Sequence, residues 1–208
     1  MAKKNSVTLM VGHLLLFHPA IKKIKELIDQ DKIGKVMYLY SNRLNFGKVR
    51  THENVLQSLA THDIAIFQYL VNEYPVSIKS KGSSFLQSNI DDFSTLHLKY
   101  EKGVCGHIFT SWLNPFKEHK LVVIGSSGMI TYNDSHEKKP LILYDKNFTI
   151  KNSEPSMTDN GFSIVDFENR LPLEEEMKYF LSHLTGSKLS ISNGKSALEV
   201  VRILDAAN

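Results

Sequence analysis

One cysteine, one tryptophan and no apolar stretch long enough to cross a bilayer set the first limits on this 208-residue chain. The lone Cys105 excludes an internal disulfide and any Cys-x-x-Cys metal site. In its strand-like context it reads as a buried, inert thiol. The longest strongly apolar stretch, Leu9 to Phe17, is interrupted by Gly12 and His13. It falls well short of the roughly 20 residues that a spanning helix needs. Lysines precede it, but no small-residue cleavage site follows, so it does not read as a secretory leader and a cytoplasmic location is expected. A charge excess is missing too: 25 basic and 22 acidic residues leave a net charge of +3. Lys22, Lys23 and Lys25 cluster on a predicted helix, as a solvated face rather than the broad basic stripe that nucleic acid demands. Neither nucleic acid nor membrane is expected as a partner. His97, His107, His119, His136 and His183 show no metal-ligand spacing, so no metal site is expected.

Several elements can be read from the sequence. Val7 to Val11 has strand character. Pro19 suits the first turn of a helix that carries Ile21, Ile24 and Ile28 and ends near Asp31. Val36 to Leu44 reads as a strand, followed by a polar loop over 45–54. A second helix spans roughly Glu53 to Val71, with Val55, Leu59, Ile66 and Leu70 as its apolar face, and Tyr74-Pro75 stops it. Strands follow at Val76 to Ser80 and Phe93 to Tyr100. A Glu101-Lys102-Gly103 turn leads into a partner strand at Val104 to Leu113. Lys120 to Ile124 and Met129 to Tyr132 flank the Gly125-Ser-Ser-Gly128 turn. No helix bearing Lys-Ser/Thr follows that turn, so it is a hairpin and not a phosphate loop. Leu141 to Tyr144 and Phe162 to Phe167 add two strands, with Lys151 to Gly161 read as a mobile polar loop. Two helices finish the chain. One covers Pro172 to Leu184, with Leu173, Met177, Phe180, Leu181 and Leu184 on one stripe. The other is capped by Asn193 and carries Leu198, Val201 and Leu204. This order predicts an α+β fold: an open, mostly antiparallel sheet with helices on one face. The other face would need water, a ligand or another subunit, and a homo-oligomer through it is expected.

Four stretches, in order along the chain, carry a family pattern. They are Val11-Gly-His-Leu-Leu-Leu-Phe-His-Pro19, the segment Arg50 to Asp63 (Arg-Thr-His-Glu-Asn-Val-Leu-Gln-Ser-Leu-Ala-Thr-His-Asp), Leu121-Val-Val-Ile-Gly-Ser-Ser-Gly128, and Ala197-Leu-Glu-Val-Val-Arg-Ile-Leu-Asp-Ala-Ala207. Through them the chain resembles the Gfo/Idh/MocA oxidoreductases. That resemblance implies a dinucleotide-binding Rossmann domain followed by a sheet domain, NAD or NADP as cofactor, and a sugar substrate. On this reading residues 1–18 are the remnant last strand of the Rossmann domain, and residues 19–208 are the substrate-binding and oligomerisation domain. The arrangement Asn45-Phe-Gly-Lys-Val-Arg50, then Glu53-Asn-Val-Leu56, then His62-Asp63 resembles the branch that acts on nucleotide-linked N-acetyl sugar uronates. No Gly-x-Gly-x-x-Gly occurs in the 208 residues, and the family's Glu-Lys-Pro motif with its catalytic lysine is absent.

The resemblance makes His62 the candidate catalytic residue. A hydride leaves a secondary alcohol only as the hydroxyl proton is removed, and imidazole suits that step near neutral pH. The competing reading is a core histidine beside Leu59 and Ile66. One turn earlier, where many members carry aspartate, stands Ser58, which can hydrogen-bond imidazole without supplying charge. Asp63 points about 100° away and is expected to make a structural bond. Arg43, Asn45, Arg50 and Asn54 flank the same helix start and are candidate contacts to an anionic sugar, with surface polarity of a loop as the alternative. His13 and His18 resemble positions on the nicotinamide side of the cofactor–substrate junction. The functional expectation is the substrate side of a sugar or nucleotide-sugar dehydrogenase, inactive alone. The alternatives are a non-enzymatic oligomerisation or ligand-binding module, or an inert truncated product.

Overall fold

The computed structural model describes residues 2–5, 7–184 and 188–207. Alternation of large apolar residues builds one sheet from eight strands: β1 (Val36–Phe46), β2 (Ser77–Ser83), β3 (Phe93–Lys99), β4 (Cys105–Ser111), β5 (Leu113–Gly125), β6 (Met129–Asn133), β7 (Leu141–Lys151) and β8 (Glu154–Ile164). Their spatial order is β2-β3-β4-β1-β5-β6-β7-β8. All the pairings are antiparallel except β1 with β4, which run parallel from Tyr38↔Cys105 to Leu44↔Ser111. Side chains on successive strand residues point to opposite faces. Leu39, Leu96, Ile108, Leu121, Val123, Ile130 and Leu141 therefore share a buried face. The helices cover that face, and the α+β architecture with an open sheet is as expected.

Four helices supply the cover: α1 (Pro19–Asp29), α2 (Thr61–Val71), α3 (Pro172–Ser182) and α4 (Gly194–Ala206). Pro19 opens α1, and the His18 ring accepts a hydrogen bond from the Ala20 amide as its cap. Ala20, Ile21, Ile24 and Leu27 face the core. α2 is apolar on nearly every side, burying Ile64, Ala65, Ile66, Phe67 and Leu70. It lies between the sheet and the neighbouring helices. A Cβ on Gly106 would stand 2.9 Å from Phe67, so β4 needs a glycine where α2 presses on it. Asn193 caps α4 by accepting from the amides of Lys195 and Ser196, as its position in the sequence suggests.

Several sequence expectations need correction. Val7 to Val11 is not a strand; its one sheet-like contact is a bridge from Met10 to Asn193. The second helix does not run evenly from Glu53, because Leu56–Ala60 forms a π-turn before α2 begins. Lys151 to Gly161 is not a loop but the tip of the β7–β8 hairpin, where backbone pairing compensates for polar composition. β5 starts at Leu113, well before Lys120, and Phe162 to Phe167 is strand only to Ile164. Cys105 is exposed, because strand parity turns it to the open face. In α4 the buried residues are Ala197, Val200 and Ile203, while Leu198 and Val201 turn outward. α3 ends at Ser182, short of the expected Leu184, and the apolar stripe is present, but Leu173, Met177, Leu181 and, just beyond the helix, Leu184 are all exposed.

Asp92, fully buried, ties the loop before β3 to the β4–β5 junction. Its carboxylate accepts from the amides of Phe85 and Leu86, at 2.6 and 2.8 Å, and from the Trp112 indole at 2.6 Å. Burial alone would push its pKa up; the donors of Leu86, Trp112 and Phe85 outweigh that and hold it below the ordinary value. Asp92→Ala leaves the buried Trp112 indole unpaired, at about 1–3 kcal/mol, and frees the part-buried amides of Phe85 and Leu86. The urea midpoint, read from the single tryptophan, should fall sharply; an unchanged midpoint would contradict this role. Because the folded pKa is depressed, Asp92 stabilises fully above the unfolded value near 3.8, and that contribution should fade as pH falls through the lower folded value.

Candidate functional site

β1 and β5 end side by side on the helix-covered face of the sheet, with Arg43 directly opposite His119. The first turn of α2 lies over this end. There Asp63 grips Arg43 with both oxygens: Nε donates to Oδ2, and Nη2 donates to Oδ1 at 3.2 Å. The pair is well shielded, with side-chain exposures of 12% for Arg43 and 4% for Asp63. Asp63 thus makes a structural bond. Arg43, one of the candidate sugar contacts, has much of its donor fork committed to that carboxylate.

His62 sits beside this pair, half-buried, and its Nδ1 is buried without a hydrogen-bond partner. Its pKa lies below the ordinary imidazole value. Burial is the main cause, Arg43 adds to it, Asp63 opposes it, and His13 and His119 lower it further. At neutral pH the ring is therefore a neutral base. The π-turn over Leu56–Ala60 delivers the chain to this point and contains Ser58. Its i→i+5 bonding is wider than an α-helical turn, and such turns are frequent at functional sites. Asn54 starts the segment by a reciprocal cap: its Oδ1 accepts from the Gln57 amide, and the Gln57 side chain accepts from the Asn54 amide.

His13 is 6% exposed, its Nε2 has no partner, and burial lowers its pKa. It lines a groove of about 700 Å3 that runs past Ala65, Gln68 and Tyr69 of α2 to Ser192, Lys195 and Ser196 at the start of α4. His18 has both ring nitrogens engaged within the fold: Nδ1 takes the Ala20 amide, and Nε2 stands 3.2 Å from the Tyr132 hydroxyl. Arg50 lies outside the cluster, exposed and 3.5 Å from Glu53. Asn45 falls on the last part of β1 beside exposed Phe46. The structure thus brings His13, Arg43 and His62 together, while the segment bearing Arg50 stays outside this corner.

In the sequence His119 stands apart only as a histidine without metal-ligand spacing, and nothing there singles out Tyr132 or Asp134 as site residues. These three line a small cavity of about 30 Å3 together with His18, Arg43, Asp63 and Lys120. No local spacing marks them; only the Arg43↔His119 register, seventy-odd positions apart, does so. Among the described residues, no group of three or more His, Cys, Asp or Glu side chains is arranged to hold a metal ion. No described helix is long and apolar enough to cross a membrane.

This electrostatic balance is directly testable. Asp63→Asn removes the one charge that raises the His62 pKa, so the imidazole midpoint followed by NMR should move down from its wild-type position. Arg43→Met should move it up. The sign of each shift checks the assignment, and equal midpoints in all three proteins would refute it. Arg43→Met should also cost about 3–5 kcal/mol, since it strands the buried Asp63 carboxylate.

The family model described as the GFO/IDH/MocA C-terminal domain matches residues 21–131. The chain is 21% identical over 214 residues to the D-xylose 1-dehydrogenase [NADP(+)] of Haloarcula marismortui, covering 94% of this chain and 56% of that protein. It superposes on UDP-N-acetylglucosamine 3-dehydrogenase GnnA from Acidithiobacillus ferrooxidans with a TM-score of 0.79 and 20% identity, over 99% of this chain and 62% of that one. An inositol dehydrogenase homolog from Azotobacter vinelandii, solved with NADH and myo-inositol, gives a TM-score of 0.75 at 16% identity, over 99% and 62% of the two chains. The chain therefore spans less than two thirds of the length of these relatives. It belongs to the Gfo/Idh/MocA family, as a representative of its C-terminal domain.

Proposed function

We propose that the chain forms the substrate side of an NAD(P)-dependent sugar or nucleotide-sugar dehydrogenase, with His62 as the group that receives the hydroxyl proton. The observation that carries this reading is a neutral imidazole with an unpartnered, buried Nδ1, set beside a fixed Arg43–Asp63 pair. A neutral ring with a free nitrogen can take a proton as the carbon–hydrogen bond gives up hydride. The Arg43–Asp63 pair holds the floor of the site rigid, while burial, with Arg43 adding to it, keeps the ring uncharged until the proton arrives. Ser58 and Asn54, on the turn leading to His62, are the candidate contacts for further sugar hydroxyls. Asn45, near the end of β1, and Arg50, in the loop after it, mark where a distal anionic group of a nucleotide sugar would lie.

The cofactor fits this chain at one end only. His13, buried with an unpartnered Nε2 in the lining of the large groove, suits the nicotinamide side; His18, tied to Ala20 and Tyr132, lines the small cavity instead. A nicotinamide dinucleotide, when bound, supplies the hydride acceptor. The 208 residues contain no glycine-rich turn of the kind that holds its phosphates. The reading therefore assigns residues 1–18 to the junction with a dinucleotide-binding domain and residues 19–208 to the substrate domain, with turnover requiring both. Support for this division comes from the 56–66% of their own length over which curated relatives match the chain.

Joining the chain to a dinucleotide-binding domain and following NAD(P)H formation across a panel of sugars tests the proposal. His62→Asn should lower kcat about 10²–10⁴-fold. A joined protein that loses nothing on this substitution would exclude His62 as the proton acceptor. The chain alone should show no micromolar NAD(H) binding by calorimetry.

Assembly through the open sheet face is part of the same proposal. Tyr38 and Tyr40 stack there, with Tyr40 against His107 at 5.0 Å between ring centroids. Beyond them Phe148, Ile150, Met157, Phe162 and Ile164 stay exposed along the β7–β8 hairpin. Exposed apolar area of this kind marks an interface. Sedimentation should show a dimer or larger species that Tyr40→Glu dissociates; a monomer at every concentration would count against it.

A further inference from the structure

We infer that His119 is a positioning residue of the sugar site, its Nε2 holding a second ligand hydroxyl while His62 faces the reacting one. This rests on the sugar-binding reading above. His119 enters from β5, opposite Arg43, with its Nε2 buried and without a partner. A buried polar nitrogen left unpaired costs about 1–3 kcal/mol, so its retention needs a partner that the fold itself does not supply. His62 Nδ1 stands in the same condition, and the two rings are close enough to influence one another electrostatically. Two such imidazoles disfavour a shared pair of charges but accommodate a neutral polyol. Each sugar hydroxyl both donates and accepts, so it satisfies a ring nitrogen in either tautomer.

The surroundings of His119 hold it in place. Its amide donates to the Ser135 hydroxyl, and its carbonyl accepts from the Asp134 amide at 2.9 Å. Asp134 presents Oδ2 to the ring Nδ1 at 3.9 Å, while Lys139 and the Tyr132 hydroxyl engage Oδ1 at 3.0 and 3.4 Å. Tyr132 in turn meets His18 Nε2, whose ring is fixed by the α1 cap. The anionic side of this network favours a proton on Nδ1, which leaves Nε2 as the acceptor. The adjoining cavity of about 30 Å3, walled by His119, Arg43 and Asp63, has room for one water-sized group.

The test is a titration of the full chain with D-glucose, with propan-2-ol as a single-hydroxyl control, while the imidazole nitrogens are followed by NMR. Glucose should shift the signals of His62 and His119 together with one dissociation constant. His119→Ala should weaken glucose about tenfold, while His119→Asn, which keeps a polar contact, should recover part of the loss. Asp134→Asn should alter the tautomer signature of His119 and leave that of His62 in place. Glucose that shifts His62 alone, or binds His119→Ala as tightly as wild type, would overturn this inference and leave the sugar reading standing. Glucose that moves neither ring would overturn both.

Discussion

The buried Arg43–Asp63 pair is the interaction on which the candidate site depends. It joins the end of a central strand to the first turn of α2, two elements that otherwise meet only through apolar contacts. Neither charge is tolerable alone at that depth, so the pair fixes the approach of helix to sheet as well as the local field. His62 is the residue just before Asp63 on the helix and inherits its position from this clamp. Burial is the main reason the imidazole stays uncharged, and the same guanidinium that anchors Asp63 adds to it. Position and protonation state thus have Arg43 as a common contributor.

Around this clamp the molecule divides its polar and apolar surfaces sharply. The helix-covered end of β1 and β5 collects histidines, the ion pair and Asp134. The outer sheet face and the outward side of α3 carry large exposed hydrophobics. α3 buries Glu176 while Leu173, Met177, Leu181 and Leu184 face outward, the reverse of an amphipathic helix on a core. Thr8, bonded to the carbonyl of His183, runs alongside the same helix, between exposed Val7 and Leu9. Of this surface, Val7 to Leu9 falls within residues 1–18, which the proposed domain division assigns to the junction, and α3 falls within the substrate domain.

Much of the architecture was legible because local chemistry decides it. Pro19, Asn193 and the left-handed Gly103 mark element ends through backbone constraints that act within a few residues. The site was legible only in part. His62 and Asp63 stand together in sequence, and their roles follow from one helical turn. Arg43 was noticed as a donor fork, but its partner was hidden because the contact crosses from strand to helix. His119 was invisible: its place beside Arg43 depends on a strand register that no local spacing encodes. The polar segment 151–161 misled for the converse reason, since a hairpin extending into solvent needs cross-strand pairing more than hydrophobic alternation. Cys105 misled because strand type was right but face parity was not.

The parallel pairing of β1 with β4 also governs the order in which the molecule can assemble. Hairpins β3–β4, β5–β6 and β7–β8 close over short distances and can form as they are synthesised. β1 cannot join them early, because its partners on β5 lie 76 residues downstream. Closing so long a loop is entropically slow, and folding rates fall as contacts become less local. On a ribosome, β1 would wait unpaired until β4, and after it β5, had been made. The strand that carries Arg43 is thus both the centre of the finished sheet and a seam closed only over a long loop, open meanwhile to mispairing or chaperone capture.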